Sequence, residues 1–188
     1  HAQIEALGVV FAALDADAVM VIEAPNSGRG QDTVAALEHF AGVFGLRQRK
    51  AVMGFANDTQ QEIALLYDPD RLSAVHDPRG GDVAVEGEPP RFDASFRIDL
   101  DIDATEDVVT FSKPPLELAV TTAQGAELCV IGAHLKSKAP HGARTPEQAM
   151  RLSIANRRKQ LAQAIWLRDR MEARRAEGKS VILMGDLN

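Results

Sequence analysis

Four polar side chains that could take part in chemistry share one position in the sequence: each stands at the end of a short apolar run or just after it. They are Glu23, His134, Asp186 and Asn188. In sheets covered by helices, groups at the carboxyl ends of the strands line the crevice that binds ligands. Two carboxylates, an amide oxygen and an imidazole gathered there suit a hard cation such as Mg²⁺, which often bridges to a substrate phosphate.

Each of these residues also has an ordinary structural interpretation. A glutamate directly after a strand, such as Glu23, is usually a solvated loop residue, and a lone histidine such as His134 is more often a satisfied residue near the core. The sequence Gly-Asp-x-Asn at residues 185–188 is often only a turn, because Gly, Asp and Asn all favour turns. If the pattern were coincidental, Glu23, His134 and Asp186 would not converge in the folded chain. The functional interpretation therefore depends on the combination of these residues and not on any one of them.

The strands that must position these side chains are predicted by apolar runs. Residues 18–22 and 180–184 are continuously apolar, which is typical of strands buried on both faces. Residues 62–67 predict a further strand, which ends at the turn residues 68–70. Each of these runs is short, as strands are.

The middle of the chain predicts hairpin-like strands. Residues 116–121 and 127–135 are expected to pair through a turn at Gly125. Residues 96–103 alternate apolar and polar side chains, which indicates a strand with one buried face. Residues 77–90 are rich in Gly and Pro and predict a surface loop.

Three helices are predicted from apolar spacing and capping residues. The first covers residues 4–14, and the second has Asp32 as its N-cap. The third begins after the N-cap Thr145 and runs to about Glu177. Trp166 is expected off the main apolar face of this helix. That face is predicted to consist of Met150, Ile154, Leu161 and Ile165.

The order of these elements favours an α/β sandwich with mixed sheets, because helices alternate with strands at both ends of the chain. The 188 residues, 45% of them hydrophobic, suit one domain spanning 1–188.

The single Cys excludes a disulfide framework and a Cys-based zinc cluster. No run approaches the roughly 20 apolar residues of a membrane span, and the start, which is His1, does not resemble a signal peptide. A soluble protein is therefore expected.

Five segments of the chain resemble, in order and rough spacing, the endonuclease/exonuclease/phosphatase superfamily of deoxyribonuclease-I-like metal-dependent phosphoesterases. Residues 134–137 match the family's H-L-K-S motif, and residues 185–188 match G-D-x-N. Residues 111–116, Phe-Ser-Lys-Pro-Pro-Leu, resemble its F-x-R-P-P-L segment. The other two segments are the strand end at 21–23 and the strand at 63–67.

The resemblance implies a fold, a cofactor and a set of roles. The fold would be a four-layered α/β/β/α sandwich with two mixed sheets, and the reaction would be hydrolysis of a phosphodiester or phosphomonoester by a metal-associated water. Glu23 would bind Mg²⁺ or Mn²⁺. Asp186 would orient or activate the water, with Asn188 helping to hold it and the phosphate. His134 would donate a hydrogen bond to a phosphoryl oxygen.

The chain also departs from the family pattern. Family members begin with a strand that carries an Asn near the metal, and they continue beyond G-D-x-N to a late Asp-His pair. The chain therefore resembles a truncated domain that lacks the first strand and the C-terminal part. Lys113 stands where the family usually has Arg. A non-catalytic module that binds a phosphorylated ligand or a protein on the same scaffold is the alternative.

The net charge of the chain and its local basic residues indicate which kinds of partner it could bind. The net charge of −6 and the pI near 5.4 lean away from tight binding of duplex nucleic acid. A small basic loop next to the predicted site, made of Lys136, Lys138 and Arg144, is a candidate phosphate-attracting patch, and a plain solvated surface is the other interpretation. The expected partner is a phosphate-ester substrate, with nucleic acid, a phospholipid head group and a small nucleotide all open.

Overall fold

The computed structural model describes residues 2–27, 30–100 and 106–188, which form a mixed α/β fold. The helices are α1 (Ala2–Leu14), α2 (Thr33–Val43) and α3 (Pro146–Ala176). The strands are β1 (Ala18–Ala24), β2 (Lys50–Met53), β3 (Glu62–Tyr67), β4 (Leu72–His76), β5 (Phe96–Ile98), β6 (Asp107–Val109), β7 (Leu116–Thr122), β8 (Glu127–His134) and β9 (Ser180–Asp186).

The strands form two larger sheets and one small one. The first sheet has the order β1-β3-β2, with antiparallel pairing throughout. The second has the order β4-β7-β8-β9, in which only β8 and β9 are parallel. Strands β5 and β6 pair separately. The prediction of two mixed sheets is therefore wrong for the first sheet within the described ranges, because β3 runs opposite to both of its neighbours there.

An apolar core joins the two larger sheets. Ile63 and Leu65 of β3 lie in one buried cluster with Leu116 and Leu118 of β7 and Val130 of β8. Because alternate residues of a strand point to opposite faces, these positions use one face of each sheet. The opposite faces of the same strands remain available for helices.

Helix α2 covers the other face of the first sheet. Leu37 and Ala41 of the helix are buried with Ala64 and Leu66 of β3. Asp32 caps the helix as predicted, because its side chain accepts a hydrogen bond from the Ala35 amide. Helix α1 also forms as predicted.

Helix α3 covers the other face of the second sheet, but not with the predicted residues. Met150, Ile154 and Leu161 are exposed, and of that set only Ile165 packs on the core. Trp166, expected off the buried face, is fully buried there. It packs with Leu167 of the helix, Ile131 and Ala133 of β8, and the rings of Phe92, Phe96 and Phe111.

The buried side of α3 also carries two arginines, which explains the wrong prediction. Arg170 donates to the carbonyl oxygens of Arg79 and Pro89 at 2.7 and 2.8 Å, so the helix holds the predicted surface loop at residues 77–90. Arg174 lies 2.9 Å from the buried carboxylate of Glu117 on β7, an ion pair without hydrogen-bond alignment. Apolar periodicity does not detect a buried face that is built partly from paired charges.

Most strand predictions are confirmed in position. Strands β3, β7 and β8 agree with them closely, whereas β2, β4 and β6 were not predicted. The strand predicted at 96–103 ends at Ile98, and residues 101–103 lie outside the described residues. Strand β9 forms, but Ile182 and Met184 are at least 36% exposed, so it is not buried on both faces. Within the described ranges, none of the helices combines the length and the apolar character that a membrane crossing requires.

Candidate functional site

Glu23 lies at an irregularity in β1 that changes the direction of its side chain. Ile22 pairs with Ile63 and Ala24 pairs with Glu62, so Glu23 is the extra residue of a β-bulge. Its φ of 62° lies in the left-handed region, which a non-glycine residue adopts only at a cost. Bulges of this kind occur next to active sites, where they redirect a side chain. The Glu23 side chain is 47% exposed.

His134 and Asp186 are neighbours because β8 and β9 are parallel and in register. The two residues are register partners at the carboxyl ends of these strands. The pair before them is Ala133 and Gly185, where the backbones approach closely. Gly185 has a φ of 136°, and a Cβ there would lie 2.9 Å from the amide nitrogen of Ala133. Only glycine fits this position without moving the strand ends.

The ammonium group of Lys113 lies between the side chains of both sheets. It donates to Glu23 Oε1 at 2.8 Å and to Gln61 Oε1 at 2.7 Å, and it lies 3.2 Å from His134 Nδ1. The Lys113 side chain is only 11% exposed. This lysine precedes β7, and Gln61 precedes β3, so the cluster draws on four separate parts of the chain.

The side chains of Glu23, His134 and Asp186 lie close together in the folded chain. His134 Nδ1 is 3.9 Å from Glu23 Oε1, and His134 Nε2 is 3.8 Å from Asp186 Oδ2. The separation of these side chains that the coincidental interpretation predicted is therefore not observed. The imidazole lies between two carboxylates that come from different sheets.

The neighbours of His134 fix which ring nitrogen carries its proton. An ammonium group only donates hydrogen bonds, so Nδ1 accepts from Lys113 and the proton lies on Nε2. Burial, and then the charge of Lys113, lower the pKa of His134, although both carboxylates oppose the shift. The ring is thus neutral at pH 7. Its Nε2–H is too far from Asp186 for a hydrogen bond and can donate to a ligand.

The carboxylates of the site differ in their surroundings. The hydrogen bond from Lys113 lowers the pKa of the Glu23 carboxyl. Asp186 Oδ1 accepts a hydrogen bond from the backbone N–H of Asn188 at 3.0 Å, which leaves Oδ2 on the side of His134. The Asn188 side chain donates to the Leu135 carbonyl at 2.9 Å. This bond ties the end of β9 to the residue that follows His134.

A cavity of about 150 Å³ opens beside this cluster. It is lined by Ser112, Lys113, His134, Leu135, Lys136, Ser137 and Gln163. Of the three predicted basic residues, Lys136 lines the cavity. Lys138 and Arg144 are exposed and are not among its lining residues.

The oxygen donors of the site suit a hard cation, although they are few. Within the described ranges, no three His, Cys, Asp or Glu side chains form a group that could hold a metal ion. Mg²⁺ needs only one or two carboxylates, because it keeps several waters and binds substrate phosphates. Glu23 and Gln61 already direct oxygens at one cation, the Lys113 ammonium. A divalent ion held by Glu23 has to share or take that position.

Sequence reasoning missed Gln61 and Gln163. Gln61 could have been found, because the start of β3 must lie beside the end of β1 once the two strands are antiparallel. Gln163 accepts from the Lys136 amide at 2.8 Å and donates to the Thr110 carbonyl at 3.0 Å. It lies on the face of α3 that apolar spacing misassigned, so no signal in the sequence pointed to it.

No protein-family model matches the chain, and neither does any curated protein or any solved structure. A function for the chain therefore has to be inferred from the side chains of the site.

Proposed function

We propose that the protein is a metal-dependent hydrolase of phosphoester bonds, acting as a nuclease, phosphodiesterase or phosphomonoesterase. The observation that carries the proposal is the convergence of Glu23, His134, Asp186 and Lys113 beside one cavity. We further propose that the fold is a four-layered α/β/β/α sandwich. The three apolar cores, which link helix to sheet, sheet to sheet and sheet to helix, support that layering.

Glu23 would hold the Mg²⁺ or Mn²⁺ ion, and its lowered pKa keeps it ionised over most of the pH range. When bound, such an ion neutralises charge on a phosphate and makes an associated water more acidic. Lys113 then serves as a second positive charge next to the same carboxylate. Lys136 lines the same cavity, and its positive charge would attract the phosphate.

The remaining side chains have roles that follow from which atoms are already bonded. Asp186 Oδ2 is available to orient the attacking water and accept its proton, because Oδ1 is bonded to the backbone N–H of Asn188. The amide oxygen of Asn188 can accept from the same water, since its amide nitrogen is bonded to Leu135. His134 donates from Nε2 to a phosphoryl oxygen, where negative charge grows as the ester bond to the leaving group breaks.

The test is hydrolysis of bis(p-nitrophenyl) phosphate by the full-length protein that contains these residues, with Mg²⁺ or Mn²⁺. We expect the reaction to stop in EDTA and to return when the metal is restored. Asp186→Asn should lower kcat/KM by about 10²–10⁴-fold, the usual contribution of a positioned acid or base. Asp82→Asn, at an exposed aspartate paired with Arg91, is the matched control and should keep wild-type activity.

Two results would contradict the proposal. The first is hydrolysis that continues unchanged in EDTA, and the second is an Asp186→Asn variant as active as Asp82→Asn. A protein that binds inorganic phosphate with no turnover of the ester in either metal would favour the alternative, a non-catalytic phospho-ligand module. One observation is compatible with that alternative: Lys113 already balances the charge of Glu23.

A further inference from the structure

One face of α3 lies against the segment that follows His134. Asn156 on this face donates to the Ala139 carbonyl at 2.9 Å, and Gln163 accepts from the Lys136 amide at 2.8 Å. These two bonds fix residues 136–139 along two turns of the helix. A side chain between the two anchors on the same face therefore lies beside the segment 136–139, of which Lys136 and Ser137 line the cavity.

Lys159 is the residue between these anchors. It lies three residues after Asn156 and four before Gln163, so the three share one side of the helix. Lys159 is half-buried, and in the described part of the chain no carboxylate pairs with it or with Lys136. Burial, and then repulsion from Lys136, lower its pKa.

The positive charges of Lys136 and Lys159 repel each other, and an anion bound between them would relieve that repulsion. Repulsion between like charges is ordinarily relieved by an intervening carboxylate or by separation of the long side chains. Here the Gln163 bond holds the Lys136 backbone against the helix that carries Lys159. The cavity beside Lys136 also reaches Lys113 and His134, so the positive groups are continuous with the proposed reaction site.

We propose that Lys159 and Lys136 form a second anion subsite, which binds a phosphate group of the substrate next to the phosphate that is hydrolysed. The inference rests on the proposed function for the identity of the first phosphate. It adds a substrate class: a phosphoester that carries a further phosphate group close to the scissile bond. Lys159 is a binding residue in this scheme and takes no part in the reaction.

The subsite itself is tested without catalysis. Inorganic phosphate is titrated into the wild-type chain in EDTA, with NMR chemical shifts as the readout of millimolar dissociation constants. We expect Lys159→Gln to weaken phosphate binding about tenfold, the loss of one charge-assisted hydrogen bond. Lys50→Gln is the matched control, because Lys50, at the start of β2, is an exposed lysine paired with Glu38 of α2. Equal phosphate affinity in Lys159→Gln and Lys50→Gln would overturn the subsite.

The substrate class is tested with two esters that differ by one group. These are thymidine 5′-(p-nitrophenyl phosphate) and the same compound with a 3′-phosphate, both assayed with Mg²⁺. We expect the wild type to prefer the second ester and Lys159→Gln to lower that preference about tenfold, while Lys50→Gln keeps it. Hydrolysis of both esters with no Lys159-dependent preference overturns the substrate class. Lys159-dependent phosphate binding with no hydrolysis of either ester retains the anion subsite and rejects the hydrolase.

Discussion

The close approach at Gly185 makes a substitution there the sharpest test of how the site is positioned. In Gly185→Ala the new Cβ would lie 2.9 and 3.0 Å from the backbone nitrogen and carbon of Ala133, whereas ordinary contacts begin at 3.4 Å. The carbonyl oxygen of Ala133 is nearer still. The strand ends must therefore separate by on the order of 1 Å, because the overlapping atoms belong to the backbone of β8 and cannot rotate away.

Two effects of known size follow from that displacement. Alanine at a φ of 136° costs about 1–3 kcal/mol of folding free energy before the contact with Ala133 is counted. A shift of about 1 Å between His134 and Asp186 should lower kcat/KM by about 10²-fold, since reacting groups tolerate little misplacement. Both effects appear in one protein, so urea unfolding and steady-state hydrolysis are measured on the same preparation.

Gly178→Ala supplies the matched control. Gly178 has a φ of 80°, and apart from its two chain neighbours no described residue has a heavy atom within 4 Å of the position that a Cβ would take, so it carries backbone strain without a close approach. We expect this variant to lose about 1 kcal/mol and to keep full activity. If Gly185→Ala matches Gly178→Ala in both stability and kcat/KM, the backbone contact does not position the site and the reasoning is wrong.

Three further predictions concern other parts of the fold. Arg174→Met leaves the Glu117 carboxylate buried beside fewer positive charges, so the free energy of unfolding in urea should fall by about 3–5 kcal/mol. Trp166→Ala removes the centre of an aromatic cluster and should cost about 3–5 kcal/mol in the same assay. Lys113→Met removes the hydrogen bond that lowers the pKa of Glu23, so an NMR titration should show that pKa rising toward its ordinary value. A loss below about 1 kcal/mol in either of the first two, or an unchanged Glu23 pKa in the third, would contradict the corresponding interaction.

The ends of strands were predictable because apolar runs stop where strands stop. His134 and Asp186 lie where the runs before them indicated, and parallel pairing of β8 with β9 then makes them neighbours. The bulge at Glu23 was not predictable, because an extra residue in a strand leaves no periodic trace. The sequence therefore predicted the positions of the site residues but not the bulge that orients Glu23.

The buried face of α3 was mispredicted for a different physical reason. Carbonyl oxygens accept hydrogen bonds from buried Arg170, and the Glu117 carboxylate balances the charge of buried Arg174; those partners lie far away in sequence. Apolar spacing instead favoured Met150 and Ile154, which are exposed. For the same reason, Trp166 was predicted to lie outside the core, although it is buried there. A helix whose buried side is partly charged needs tertiary information to be read correctly.

The distribution of the site over two sheets has a consequence for how the chain folds. Glu23 comes from the first sheet and Asp186 from the second, and the two stand near opposite ends of the chain. Contacts between residues so distant in sequence close the largest loops and form late, after local helices and hairpins. Every partly folded species thus lacks the constellation, even when its hairpins are intact. The activity proposed for this site therefore requires that the two sheets have met, and we expect it to appear only at the end of folding.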